Sequence, residues 1–177
     1  MGHWHDTPLG AFSDAMVETA EGRRVLLAPH RGAADFIAAT YTFDEVRLEA
    51  FEVGASARHW AVRSPSLQLD LRLGRRTVLG VLLRLVPARV ATSPAWCALT
   101  DPVARVVLRG VRTRGSAGNG RREWYGATDT RAVVAAAGTF EQTDLGSVAP
   151  VDPPCRFGFS STPRRPSMTT VVTTVES

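Results

Sequence analysis

Apolar and polar positions alternate most cleanly over residues 66–73, Ser-Leu-Gln-Leu-Asp-Leu-Arg-Leu. Leu67, Leu69, Leu71 and Leu73 fall on one side of an extended chain, and Gln68, Asp70 and Arg72 on the other. That pattern predicts a half-buried antiparallel strand. Upstream, Ala15–Thr19 and Arg24–Ala28 flank a Glu21-Gly22 turn and read as a hairpin that Pro29 closes. Residues 32–40 are alanine-rich around Phe36 and Ile37, and one or two helical turns are expected there. Over 45–53, Val46 and Leu48 share a face before the phase slips by one to Phe51 and Val53, which suggests a β-bulge. A turn over 54–57 leads into a short strand, 58–63, with Trp60 and Val62 on one face.

After Gly74 the period lengthens. Leu79, Leu82, Leu83, Val86 and Val90 follow helical spacing, with Thr77 as N-cap and Gly80 and Pro87 as interruptions. Ser93-Pro94 and Asp101-Pro102 each resemble an N-cap followed by proline at the first helical position, so two short helices carrying Trp96 and Val103 are expected. Beyond them the signals return to strands, at 106–114 and 121–129 around a glycine-rich turn at 115–120, and at 131–140. A proline-containing loop covers 141–155, a short strand 156–160, and the β-branched tail 168–176 forms the last strand.

Eight or nine strands at short spacing, without βαβ rhythm, define a mainly β (α+β) protein. The expected architecture is a single domain over 1–177, a curved antiparallel sheet or β-barrel with a helical insertion around residues 77–105. The length of 177 residues suits one such domain, and 44% hydrophobic with 21% charged residues is ordinary globular composition.

Composition removes whole classes of chemistry. All 21 basic residues are arginine. Schiff-base catalysis, pyridoxal phosphate held on lysine and a Walker A loop each need a lysine that this sequence lacks. Exclusive use of arginine is also the composition expected of a bacterial protein from a GC-rich genome. General bases must come from histidine, carboxylate or tyrosine. Two distant cysteines, Cys97 and Cys155, make no zinc motif. The first residues lack the apolar core of a secretory signal, and the longest apolar stretch, Val78–Val86, is interrupted by Arg84 and too short to span a bilayer. A cytoplasmic location with reduced thiols and no membrane partner is expected.

Charge is uneven along the chain. Residues 1–70 hold 6 arginines against 10 carboxylates, and residues 71–177 hold 15 against 7. The two halves could face each other within one fold or across a homodimer, or the basic half could meet an anionic partner. Nucleic acid is not the expected partner: six arginines crowd 105–122, but no nucleic-acid-binding motif accompanies them and aromatics are only 7%.

The densest candidate chemistry is Arg121-Arg122-Glu123-Trp124-Tyr125-Gly126-Ala127-Thr128-Asp129. On a regular strand Arg121, Glu123, Tyr125 and Asp129 share one face. Glu123 or Asp129 is the candidate base, Tyr125 the acid or hydrogen-bond donor, and Arg121 the clamp for an anion. Trp124, Trp60 and His59 are candidate ligand contacts. His3-x-His5-Asp6 has metal-ligand types, but at a chain end such clusters are commonly incidental, and no metal or cofactor is expected. Cys97 after Trp96 reads as buried filler. These features point to a small-molecule binding β-protein taking an apolar or amphipathic anionic ligand. The alternatives are a cofactor-independent acid–base enzyme of isomerase, cyclase or hydratase type, and a structural protein that pairs through its tail strand.

Overall fold

Val25-Leu26-Leu27-Ala28 is a continuous apolar run, and a strand buried on both faces needs that pattern rather than alternation. In the computed structural model, which describes residues 1–108, 110–116 and 122–176, all four side chains are fully buried. They belong to β3 (Arg24–Ala28), which pairs antiparallel with β2 (Phe12–Glu18) as the hairpin pattern predicts, Ala15 opposite Leu27. β1 (Gly2–Trp4) lies outside β2. α1 (Arg31–Ala38) follows β3, its N-terminus capped by His30, whose Nδ1 accepts from the Ala33 N–H at 3.2 Å.

The chain then returns as β4 (Glu45–Leu48), parallel to β3. This is one βαβ unit, which the turn pattern did not predict. The helix was visible, but its 8 residues are too few to announce a crossover. The sheet order is β1-β2-β3-β4. Ile37, Ala33 and Ala34 of α1 pack with Leu26, Ala28 and Phe12 on one face, while Val25, Leu27 and Ala15 pack with Val62, Leu67 and Phe140 on the other.

The phase slip at residues 49–51 is a break between strands, not a bulge. β4 ends the first sheet, and β5 (Glu52–Ala55) pairs with β6 (His59–Arg63) in a second. The phase at β4 is also inverted: Val46 and Leu48 are exposed, and Glu45 and Arg47 turn inward. Arg47 Nε donates to Glu45 at 2.5 Å and a terminal guanidinium nitrogen donates to Glu141, while Arg23 reaches both carboxylates. Beside them buried Glu49 accepts from the Ser64 hydroxyl, the Ser66 N–H and the Ser66 hydroxyl.

The second sheet runs β10-β9-β7-β6-β5, where β7 is Leu67–Arg76, β9 Arg122–Phe140 and β10 Thr143–Asp144. β8 (Arg114–Ser116) and β11 (Ser167–Glu176) also pair with β9, antiparallel. The leucine alternation of 66–73 is borne out in β7, where Leu67 and Leu73 are buried and Gln68, Asp70 and Arg72 exposed. The protein is mainly β, with two sheets and few helices, and among the described residues neither sheet closes into a barrel. The two strands expected at 121–129 and 131–140 are one strand, 19 residues long. No strand forms over 156–160, and most of 106–113 is helix end or loop. The turn at 115–120 lies largely outside the described residues.

Two compact units emerge: Met1–Leu71 with Ala136–Ser147, and Arg72–Ala135 with Val148–Ser177. The chain of β7 and of β9 passes through both. The second unit holds the helices expected over 77–105: α2 (Val78–Leu85), α3 (Ala88–Ala91) and α4 (Pro94–Val107). Thr77 and Ser93 are the N-caps, accepting from the Gly80 N–H at 3.0 Å and the Trp96 N–H at 3.2 Å. α4 runs through Pro102 instead of restarting there. Asp101 is not a cap; its buried carboxylate leaves the helix to bind residues 112–114.

Glycine decides how closely the helices lie on β9. A Cβ on Gly80 would stand 2.1 Å from the Thr130 carbonyl oxygen, and one on Gly126 would stand 2.6 Å from Thr92 Cα. Backbone contact that close is open only to glycine.

Candidate functional site

The 122–130 segment of β9 carries the chemistry singled out in the sequence. β11 holds it in register, with Val175 opposite Glu123 and Thr173 opposite Tyr125. The register then shifts: Val171 faces Ala127, whereas Thr170 faces Asp129. The extra residue, Thr128, is a bulge, and a bulge reverses the alternation beyond it. Asp129 therefore leaves the face that Glu123 and Tyr125 share. Arg76 Nε instead donates to both of its oxygens, at 2.8 and 3.0 Å, with Arg84 at 4.0 Å. The hydrogen bond from Arg76 holds the Asp129 carboxyl below its ordinary range.

Glu123 and Tyr125 do come together. Glu123 is buried, and the Tyr125 hydroxyl donates to its Oε2 at 2.9 Å. The Tyr125 ring stacks on Phe159, centroids 5.2 Å apart and planes within 13°. Gly115 of β8 permits that arrangement, since a Cβ there would meet the Phe159 ring at 2.2 Å. Trp124, on the opposite parity, is half-buried and lies under the Arg122 guanidinium at 5.8 Å. Arg121 lies outside the described residues. His59 is exposed, and Trp60 meets His3 edge-on at 5.4 Å; both belong to the first unit. The His3 ring contacts His5 at 4.5 Å and shares a hydrogen bond with the Ser13 hydroxyl. Partial burial, then the charge of His5, lowers its pKa.

The loop that supplies Phe159 also forms a concave surface. A depression of about 560 Å³ is lined by Val107 and Leu108 at the end of α4 and by Pro150, Pro163, Arg164 and Arg165. A backbone bond holds one wall, the Val151 N–H donating to the Arg164 carbonyl at 2.9 Å, and the Arg112 N–H donates to the Ser160 side-chain hydroxyl of the same loop at 2.9 Å. The guanidinium of Arg164 is paired with Asp152, yet its buried Nε has no hydrogen-bond partner among the described residues. Arg165 is exposed at the rim, and no ion pair holds it among the described residues. An apolar floor with two guanidinium groups fits an amphipathic anion.

Sequence reasoning did not select these six residues. Their one local signal is the Pro-Arg-Arg-Pro run at 163–166, where prolines stiffen the chain on both sides of two adjacent charges.

Besides Glu49, two further buried carboxylates, Asp14 and Asp101, lie elsewhere among the described residues, and their environments differ. Asp14 accepts from Trp4 Nε1 at 2.5 Å, while its Oδ2 has no hydrogen-bond partner among the described residues; burial raises its pKa. Asp101 is likewise pushed up by burial, but the Thr113 N–H at 3.0 Å, the Arg112 guanidinium at 3.3 Å and the Arg114 N–H at 3.3 Å outweigh that and hold it below the ordinary range.

No protein-family model matches the chain, and no curated protein and no solved structure matches it.

Proposed function

We propose that this chain binds a small amphipathic anion, with the aliphatic part against Val107, Leu108, Pro150 and Pro163 and the acidic head at Arg165 and Arg164. The observation that carries the reading is the conjunction of apolar lining residues with the exposed guanidinium of Arg165, which has no ion pair among the described residues. A volume of about 560 Å³ lies within the usual size of small-molecule sites. Binding of this kind needs no cofactor, and the two free thiols suit a reducing cytoplasm.

Native mass spectrometry with dodecanoate tests it. One dodecanoate per chain is expected, with dodecylammonium not retained. Arg165→Glu should weaken binding by about tenfold or more, because a charge-assisted contact becomes a repulsion. Unchanged affinity in that variant, or no retention of dodecanoate, sinks the reading.

An acid–base enzyme is the second reading. One observation favours it: Tyr125 is held to a buried carboxylate by a 2.9 Å hydrogen bond, so a proton could pass between them. Asp129 adds less to that reading than the sequence suggests, because Arg76 already occupies both of its oxygens.

A further inference from the structure

The helices of the second unit are built with their apolar faces outward. In α2 the positions Val78, Val81, Leu82 and Leu85 have the spacing of one helical face, and all four are exposed. The residue turned inward is Gly80, pressed on the backbone of β9. In α4 the exposed face is Leu99, Val103 and Val106, and the buried residues are Cys97 and Asp101; Val107, next along the helix, lines the depression instead. Val78, Leu85 and Val106 are each at least 75% exposed. Single exposed leucines need no explanation, but two helical stripes of them do.

The charge of the same segment indicates what covers these faces. Residues 72–114 contain nine arginines and a single carboxylate, Asp101. That carboxylate is buried and paired with Arg112. From residue 115 onward arginines and carboxylates balance, six against six, so the whole positive excess of this half of the chain lies in the helical segment and its flanks. Arg84, Arg89 and Arg105 stand exposed on the helices themselves. We infer that α2 and α4 lie on an anionic lipid surface, their valines and leucines entering the headgroup–acyl boundary, with Arg84 and Arg105 of these helices and Arg89 of the intervening α3 pairing with lipid phosphates.

Short helices with an apolar stripe, whose exposed charges are all arginine, have the character of interfacial helices. No described helix is long and apolar enough to cross a membrane, so the association is with one leaflet. This departs from the sequence expectation of no membrane partner, which rested on the absence of a spanning stretch. A second copy docking through the same faces would bring two strongly positive segments together, which opposes that occupant. Arginine stems can follow the apolar surface while the guanidinium stays at the phosphates.

The test is co-sedimentation of the whole chain with vesicles of phosphatidylcholine alone, and of phosphatidylcholine with about one third phosphatidylglycerol. Binding should be confined to the anionic vesicles and should fall as salt rises. Leu85→Asp combined with Val106→Asp, both at exposed positions, should reduce it by at least about tenfold by putting charge at the apolar contact. Arg84→Gln and Arg89→Gln should each cost about fivefold. Val172→Asp, exposed on β11, should leave binding unchanged. The inference is overturned if neither vesicle binds, if neutral vesicles bind equally well, or if the aspartate variants bind as the parent does. It is also overturned if sedimentation velocity shows a dimer that the aspartate variants dissociate, for a second copy is then the occupant. Dodecanoate retention should be unaffected by Leu85→Asp, which separates this surface from the anion site.

Discussion

The two units of this protein dispose of their large apolar side chains in opposite ways. In the first, Val25, Leu26, Leu27, Ile37 and Val62 are buried, and four charges of the unit, Arg23, Glu45, Arg47 and Glu141, form one network. In the second, the helices turn glycine, alanine, cysteine and one aspartate inward and leave valine and leucine outside. The first arrangement is held by burial and the second by close backbone approach, capping and hydrogen bonds to Asp101. The exposed valines and leucines of α2 and α4 thus add little to the stability of their own unit.

The sharpest way to break that comparison is a matched pair of truncations. Leu26→Ala should cost about 2–5 kcal/mol, since it opens a cavity in a fully packed site. Leu85→Ala, the same chemical change on an exposed helix, should stay within about 0.5 kcal/mol. Urea unfolding of both variants reads the difference, and similar losses would mean that the apolar helix faces are buried after all.

The paired aspartates sharpen it further. Asp101→Asn should lower stability at neutral pH by about 2 kcal/mol, because three donors lose a charged acceptor. The folded-state pKa of Asp101 is depressed, so its contribution is present above the unfolded carboxyl pKa and is lost as pH falls through the lower folded value. Asp14 has the opposite sign. Its folded pKa is raised, so the native state binds the proton more tightly, and stability declines as pH rises from the unfolded carboxyl value of 3.8 through the higher folded one. Unfolding midpoints of Asp14→Asn and Asp101→Asn across acidic pH should therefore diverge from the parent in opposite directions. Parallel profiles would show that the two environments are equivalent.

The smallest effect is expected at the surface. Arg76→Ala removes the partner of Asp129 but should leave the urea midpoint unchanged within error, because exposed ion pairs contribute little. A large loss there would make Asp129 part of the structural core of β9 and weaken any role for it in binding.

Much of the local structure of both units was legible residue by residue. The β2–β3 hairpin, the leucine face of β7, the Thr77 and Ser93 caps and the buried Cys97 all follow from neighbours within a few positions. The candidate pair Glu123 and Tyr125 was visible for the same reason, since residues two apart on a strand share a face whatever lies around them. The depression at Pro163–Arg165 was not visible, because its other wall comes from Val107 and Leu108, more than fifty positions earlier.

Local spacing and backbone preference settled which stretches are strand or helix, and arginine-only composition settled which chemistries are closed to the chain. Neither could say which face of an amphipathic element turns inward. Val46 and Leu48 alternate as core residues do, yet face outward because Glu45 and Arg47 find partners on Arg23 and Glu141. The stripe of α2 has core periodicity, yet faces outward because Gly80 alone can approach the Thr130 carbonyl. Asp129 leaves the face of Glu123 because β11 pairs around Thr128 with one residue fewer. In each case the deciding contact joins residues far apart in the chain, and a periodicity carries no information about such a partner.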